Sequence, residues 1–255
     1  MVLFSPKGAF LFWQRNAFIF RRIFPESLAF NFLEPVIYLL AMGLGLGAYI
    51  STIAGLPYVV FVATGLVSTT AMFGATLECT YNAYVQMYYE KAYDAVITTP
   101  LGVEDVVVGE ILWGATRSVF YGTAFLIVIT VFGIVRSPLA LLIPVLFMIS
   151  GLMFSVIAMI FTAVTPSIDY FSFYLAVFIT PMFMFSGVFF PLDALPAWVS
   201  TAAWLTPLSH VVNLSRALAL GTPQVRHLWD LVWMLAVTAA LFPVPIALMR
   251  RRLIK

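Results

Sequence analysis

The chain has 255 residues, of which 63% are hydrophobic and 9% are charged, and its formal net charge is only +2. Soluble domains carry about 25% charged residues, so this composition indicates an integral membrane protein and leaves no room for a separate catalytic or nucleotide-binding domain. The single cysteine, Cys79, excludes an internal disulfide. Neither His210 nor His227 has an acidic or thiol neighbour at ligand spacing, so we expect no metal site.

Residues 1–26 are predicted to form an amphipathic helix at the membrane interface, and Pro25 is expected to end it. At about 100° per residue, the polar residues fall on one basic stripe, and aromatic residues cover much of the remaining surface. Such a helix suits an anionic bilayer surface, but it could equally pack on its own membrane domain. Repeated charges argue against a cleavable signal peptide. The residues of the stripe are Lys7, Gln14, Arg15, Arg21 and Arg22.

Residues 27–255 are predicted to form an all-α transmembrane domain with six spanning helices. Each apolar segment is close to the length of about 20 residues that the hydrocarbon layer requires. Residues 88–105 and 191–227 form the two long connections between them. The predicted spans are residues 28–50, 58–87, 106–135, 139–164, 171–190 and 228–249.

The basic residues predict the orientation of these spans. If both termini are cytoplasmic, nine basic residues lie on the inner side and three, Arg136, Arg216 and Arg226, lie on the outer side. Cytoplasmic loops carry an excess of lysine and arginine. This orientation therefore places residues 88–105 inside and residues 191–227 outside.

The chain contains no G-x-x-x-x-G-K-[ST] phosphate loop, so any ATP hydrolysis must come from a partner. In the inner loop, the sequence predicts a short helix over residues 89–98. A rigid helix with aromatic anchors and mixed charges suits protein docking, although loops of this composition also serve as plain connectors. The candidate coupling residues are Tyr89, Glu90, Lys91, Tyr93, Asp94 and Val96.

Several ionisable residues fall within predicted spans, among them Glu34, Glu78, Glu110 and Arg117. A charge at the centre of a bilayer costs about 3 kcal/mol or more, so we expect Arg117 to pair with Glu78 or Glu110. The set is interpreted either as the lining of a substrate path or gate, or as a structural ion pair. The acids lie toward the inner ends, which argues against an ion-coupled carrier.

Residues 191–221 are predicted to form an outer re-entrant hairpin of short, broken helices. Three prolines exclude one continuous helix, while the remaining residues are too apolar for a free loop. Non-helical backbone at membrane depth requires protein or a watery cavity to cover it. The alternative is an apolar loop lying on the headgroups. The residues assigned to this outer gate are Pro191, Asp193, Pro196, Trp198, Trp204, Pro207 and His210.

Together these features resemble the permease subunits of ABC-2 type exporters over nearly the whole chain. The most specific stretches are PSIDYFSFYLAVFITPMFMFSGVFFPLDALP at residues 166–196 and WLTPLSH at residues 204–210. Within that family, NFLEPVIYLLAMGLGLG at residues 31–47 and VVGEILWGATRS at residues 107–118 resemble the NodJ subfamily, which exports lipo-chitin oligosaccharides.

The resemblance implies a homodimeric, multi-pass permease in a bacterial inner membrane, working with two copies of a cytoplasmic NodI-like ATPase. That ATPase would bind the ATP and Mg²⁺, so this chain is expected to be no enzyme and to hold no cofactor. The resemblance also implies that residues 88–100 form the coupling helix, beside the N-terminal helix, and that residues 191–221 cap the pathway.

The expected substrate is amphipathic, an acylated or lipid-linked oligosaccharide, and no nucleic-acid partner is expected. Aromatic and methionine side chains in the spans suit irregular apolar partners. Two alternatives remain open on the sequence. One is a multidrug or antibiotic exporter of the same architecture, and the other is a membrane scaffold that transports nothing.

Overall fold

The computed structural model describes residues 5–254, apart from the side chains of Ile23, Glu26, residues 28–32, Glu34 and Leu44. The chain is mostly helical. A β-hairpin whose strands have two residues each, β1 (Thr52–Ile53) and β2 (Leu56–Pro57), joins the first two long helices. The helices are α1 (Pro6–Leu40), α2 (Tyr58–Leu77), α3 (Ala92–Ile97), α4 (Val103–Val131), α5 (Ile143–Val164), α6 (Tyr170–Tyr174), α7 (Thr180–Phe185), α8 (Ala197–Trp204), α9 (Pro207–Leu220), α10 (Arg226–Leu241) and α11 (Pro243–Leu253).

Several helices continue into tighter or wider turns. A π-helical turn, Ala41–Gly45, extends α1, and the π turns Glu78–Asn82 and Val85–Tyr89 extend α2. Another, Leu175–Ile179, joins α6 to α7, and a 3₁₀ turn, Pro138–Leu142, leads into α5. Such π turns are frequent at functional sites, and two of the four described here continue α2 at its C-terminal end.

The prediction that Pro25 ends the N-terminal helix is wrong, because α1 runs without interruption through both Pro25 and Pro35. Proline removes one backbone hydrogen bond, but packing against a neighbouring helix can hold the segment helical. Here α1 packs along α4 on both sides of Pro25, since Phe24 contacts Phe120 and Ser27 bonds to Tyr121. The expected boundary near residue 26 therefore falls inside one helix.

The N-terminal half of α1 packs on the protein itself, which was one of the two interpretations of its pattern. Ala9, Phe12, Asn16 and Phe20 are buried at helical spacing. At Gly109 of α4, an added Cβ would lie 2.7 Å from the carbonyl oxygen of Ala9. Glycine therefore lets the two backbones approach closely, as small residues do in membrane helix pairs.

Among the described residues, four helical stretches are long and apolar enough to cross a membrane. They match the second, third, fourth and sixth predicted spans to within a few residues. Where the first and fifth spans are predicted, the apolar helices Pro35–Ala48 and Tyr170–Phe185 are shorter than 18 residues, so a six-span count stays a prediction. The four long stretches are Tyr58–Tyr89, Val103–Val131, Pro138–Val164 and Arg226–Leu253.

The outer segment folds as the short, broken helices that its prolines predict. Pro196 immediately precedes α8, Pro207 is the first residue of α9, and Gly221 ends α9 in the left-handed conformation with φ of 75°. Glycine takes up that conformation without steric cost, which makes it the usual residue after a helix end. Whether this segment re-enters the membrane stays a prediction.

Candidate functional site: polar networks at two ends of the bundle

A polar cleft of about 160 Å³ lies between α1, the π-helical continuation of α2 and α4. Its floor is formed by buried side chains, among them Glu78, Trp113 and Arg117, and its rim by Asn82, Gln86 and Glu90. The described residues also contribute Asn16, Ile19, Phe20 and Val85 to the lining. Glu78 and Arg117, two of the ionisable residues singled out within the predicted spans, therefore meet in one cavity.

Arg117 pairs with Glu78, one of its two predicted partners. The Arg117 Nε lies 3.2 Å from the Glu78 Oε2, and both side chains are at least 93% buried. The guanidinium is not aligned to donate this Nε–H to the carboxylate, and it instead donates from Nη2 to the Ser27 hydroxyl at 3.1 Å. The contact is thus mainly electrostatic.

The Glu78 carboxylate is further satisfied by neutral donors. The Trp113 indole donates to its Oε1 at 2.9 Å, and the Asn82 amide donates to its Oε2 at 2.8 Å. The Arg117 guanidinium also stacks on aromatic rings, with its central carbon 4.1 Å from the centre of Phe20. Such cation–π contacts gain strength when they are removed from water. Because Phe20 lies on α1, Glu78 follows α2 and Arg117 lies on α4, these contacts join the three helices.

Glu110 makes a separate contact with α1. The Asn16 amide donates to the Glu110 Oε2 at 2.8 Å, while the other carboxylate oxygen has no aligned donor. Glu110 is completely buried and forms no ion pair with Arg117 within the described residues. Glu34 belongs to the same predicted set, but its side chain lies outside the described residues.

The inner loop contains a short helix, α3, as predicted, but it spans only Ala92–Ile97. It begins after Lys91, whose φ of 55° turns the chain away from the end of α2. Tyr89 is 59% exposed, and Glu90, Lys91 and Asp94 are exposed as well. Val96 is half-buried.

Tyr93 does not face outward, and its predicted role as a docking anchor is wrong. Its ring is fully buried and packs edge-on against Phe12 of α1 at 5.8 Å. Burial, with a further contribution from the nearby Glu110 charge, raises the pKa of the Tyr93 phenol well above its usual range. Tyr93 therefore stays neutral and fastens α3 to the helices behind it.

The N-terminus, the inner loop and the C-terminal helix converge at this end of the bundle. The backbone amides of Ser5 and Gly102 donate to the Asp105 carboxylate at 2.7 and 3.0 Å. Glu104 forms an ion pair with Arg250 of α11, in which the Glu104 Oε1 lies 3.6 Å from the Arg250 Nη1. Glu104 and Asp105 lie in the first turn of α4, where acidic residues are favoured.

At the other end, His210 of α9 contacts an acid that the sequence analysis missed. Its Nδ1 lies 2.6 Å from the Asp230 Oδ1 of α10. The imidazole stacks on Trp233 at 4.3 Å and meets Trp204 edge-on at 5.4 Å. The expectation that His210 has no acidic neighbour is wrong, because the partner lies twenty residues away in sequence but on the adjacent helix.

Arg216 was assigned to the outer surface by its position in the sequence, yet it holds several elements together. It donates to the carbonyl oxygens of Phe61 and Gly187 at 3.0 and 2.8 Å and to the Thr64 hydroxyl at 3.2 Å. Its guanidinium lies 3.9 Å from the centre of the Phe61 ring. Arg216 thus connects α9, the start of α2 and the bend after α7.

The remaining residues of the predicted outer gate lie nearer the surface. Asp193 and Trp198 are exposed, and Trp198 has 76% of its surface accessible. Pro191 is half-buried and precedes a 3₁₀ turn, Leu192–Ala194. The structure therefore brings Trp204 and His210 together but leaves Asp193 and Trp198 apart from them.

A mostly helical chain with several membrane-length helices and buried polar networks is a multi-pass membrane protein. The sequence model of the ABC-2 type transporter matches residues 9–220. The chain therefore belongs to the ABC-2 type transporter family, as its sequence pattern indicated, and is a transporter permease subunit rather than an enzyme.

Several relatives match nearly end to end. Nodulation protein J of Rhizobium leguminosarum bv. viciae is 38% identical over 95% of this chain and 94% of its own length. The protein of the same name from Rhizobium leguminosarum bv. trifolii is 36% identical over 95% and 93%. That from Rhizobium meliloti (strain 1021) is 33% identical over 94% and 92%. The predicted similarity to the NodJ subfamily is thereby confirmed.

Proposed function

We propose that this chain is the membrane subunit of an ATP-driven exporter that moves an acylated or lipid-linked oligosaccharide across a bacterial inner membrane. The family supports transport, and the relatives are named for nodulation. The observation that carries the proposal is a coupling surface at the inner end, defined by Tyr88, Tyr89, Glu90, Lys91 and Asp94. All five side chains are exposed.

This coupling surface has the features of a docking site. Tyr88 and Tyr89 pack edge-on against each other at 5.3 Å, and the Lys91 ammonium lies 5.0 Å from the Tyr88 ring. Exposed aromatic side chains are typical of the residues that dominate binding energy at interfaces. Because the buried Tyr93 packs on Phe12 of α1, a movement of the partner bound at this surface would be transmitted through α3 to α1.

The partner proposed for the coupling surface is a NodI-like cytoplasmic ATPase, which binds the ATP and Mg²⁺. Two copies would serve a homodimer of this chain. The convergence of Ser5, Asp105 and Arg250 at one end supports a common side for both termini and the inner loop. The nine-to-three distribution of basic residues supports the cytoplasm as that side.

The proposed substrate follows from the scarcity of charge and the abundance of apolar surface. The outer halves of α10 and α8 expose tryptophan side chains, Trp229 and Trp198, which favour the membrane interface. The described acids within the predicted spans, Glu78, Glu110 and Asp230, are buried and bonded to neighbours. Such a protein suits a molecule that travels with an acyl tail in the bilayer and a neutral sugar head.

The test is ATP hydrolysis by the permease–ATPase complex reconstituted in lipid vesicles. We expect an acylated chitin oligosaccharide to stimulate hydrolysis at least threefold, and the same oligosaccharide without its acyl chain to have no effect. Stimulation only by cationic drugs would replace the proposal with the multidrug alternative. A complex that neither hydrolyses ATP nor assembles would favour a scaffold.

A further inference from the structure

The cleft between α1, the continuation of α2 and α4 carries charges of both signs. On its floor, Arg117 is paired with Glu78. At its rim, Glu90 is exposed, and Arg15 lies close by, donating to the Gln86 side chain at 2.8 Å. Two carboxylates and one guanidinium therefore line the cleft, with the Arg15 guanidinium beside it, and an added ion of either sign would meet a like charge as well as an opposite one.

The polar groups that remain at the rim are carboxamides. Asn82 donates to Glu78 and Gln86 accepts from Arg15, and the Asn82 oxygen and the Gln86 amide nitrogen together still offer the cleft an acceptor and a donor. That capacity matches a hydroxyl group, which also does both. The cavity of about 160 Å³ is smaller than the range of roughly 300–1,000 Å³ that holds a drug-sized ligand. It therefore fits a headgroup, not a whole lipid or a long oligosaccharide.

The cleft is continuous with an apolar face that suits an acyl chain. Ile19 both lines the cleft and is 46% exposed on the outside of α1, and its neighbour Phe18 is 65% exposed. Large apolar side chains exposed on a membrane helix are covered by lipid tails. A molecule lying along this face would thus bring its headgroup to the rim at Asn82 and Gln86.

We propose that this cleft binds the uncharged, hydroxyl-rich headgroup of a glycolipid whose acyl chains lie on the exposed face of α1 at Phe18 and Ile19. The inference rests on the proposed function only for the source of the ligand, either the exported molecule or a resident membrane glycolipid. The headgroup chemistry itself follows from the mixed charges, the carboxamides and the size of the cleft.

The experiment measures lipid binding to the purified permease alone, in a polyoxyethylene detergent that carries no sugar. The probes are dioleoyl monogalactosyl glycerol and dioleoyl phosphatidylglycerol, which share their tails and differ in headgroup charge. We expect the galactolipid to bind at least tenfold more tightly. Val85→Phe, which fills the cleft, and Gln86→Leu, which removes a carboxamide, should each weaken its binding at least tenfold.

Two matched control variants lie at the other end of the molecule. Gln224 and Val225 are exposed, so Gln224→Leu and Val225→Phe make the same chemical changes far from the cleft and should alter binding less than twofold. Thermal unfolding of each variant shows whether it is folded. Equal binding of phosphatidylglycerol, or unchanged galactolipid binding in both cleft variants, would overturn the assignment.

A second arm distinguishes the source of the headgroup. In the complex with the ATPase, an acylated oligosaccharide that is both cargo and ligand should stimulate hydrolysis in the wild type and in Gln224→Leu, and at least fivefold less in Val85→Phe. A resident glycolipid would bind without changing hydrolysis, and the headgroup assignment would stand. Because the binding arm uses no ATPase, failure of the proposed export function would leave its result intact.

Discussion

The two ends of the bundle solve the problem of buried polarity in different ways. At the end that we propose to be cytoplasmic, called the inner end, Arg117 and Glu78 form an ion pair across helices and border a cavity. At the outer end, Arg216 is satisfied mainly by backbone carbonyl oxygens, and within the described residues no carboxylate lies within 4 Å of it. The inner network leaves room for a ligand, whereas the outer one closes the chain on itself.

The two networks differ in how readily their contacts can be replaced. An ion pair supported by neutral donors can exchange one partner for a ligand group, because each partner retains other contacts. The Arg216 guanidinium donates to two carbonyl oxygens, and of these the Phe61 oxygen also accepts from the Thr64 hydroxyl, whereas the Gly187 oxygen depends on Arg216. We therefore expect substitutions at the inner end to be rescued by a second change, and those at the outer end to resist rescue.

The largest effect is expected from Arg117→Ala, which strands the Glu78 carboxylate in the interior. Removing one partner of a buried ion pair typically costs about 3–5 kcal/mol. The double variant Arg117→Ala/Glu78→Gln should recover much of that loss, as measured by thermal unfolding in detergent. The matched control is Arg117→Ala/Glu110→Gln, and recovery there equal to that with Glu78→Gln would contradict the assigned pair.

At the outer end, Arg216→Met should lower the free energy of unfolding by about 2–3 kcal/mol, because three hydrogen bonds are lost and the Gly187 carbonyl oxygen is left without its donor. Arg226→Met changes the same residue type at an exposed position nearby and should have little effect. Equal stability of the two variants would show that Arg216 does not clamp this end.

The coupling surface sharpens the comparison by separating binding from stability. Tyr89→Ala should weaken binding of the ATPase by about 2 kcal/mol, the scale of an interface anchor, while leaving unfolding of the permease unchanged. Tyr93→Ala should instead destabilise the permease by about 3 kcal/mol, because it empties a buried site. Affinity for the ATPase and thermal unfolding are measured on both variants. An exchange of these two results would reverse the assignment.

The smallest effect is expected at the contact between His210 and Asp230. Asp230→Asn keeps a hydrogen-bonding side chain of the same shape beside the imidazole, so the loss should be about 1 kcal/mol. Asp193→Asn, at an exposed position of the outer segment, provides the control. A change in thermal unfolding no larger than that of the control would show that the buried contact adds nothing to stability.

Hydropathy and proline positions were enough to predict most helices, because the bilayer demands long apolar segments and proline interrupts them. Pro25 misled the prediction because the contacts of α1 with α4 outweigh one lost hydrogen bond. Asn16 and Gln86 gave no signal of their roles, since polar residues on such helices usually face water or headgroups. Which acid pairs with Arg117 depends on how α1, α2 and α4 pack.

Tyr93 and His210 show the same limit at the level of single residues. The spacing of Tyr89 and Tyr93 on a short helix suggested a common face, but the left-handed turn at Lys91 separates them. His210 and Asp230 lie on consecutive helices, and their contact follows from the way α9 and α10 pack. Neither could be read from local periodicity.

The central claim is that the inner end faces the cytoplasm and docks an ATPase. The most direct measurement places a photoreactive benzoylphenylalanine at Tyr89, and in a second variant at Trp198, with the partner ATPase expressed in the same cells. We predict that ultraviolet light cross-links the Tyr89 position, and not the Trp198 position, to the ATPase. Cross-linking from Trp198, or none from Tyr89 in a complex that still co-purifies, would contradict the account.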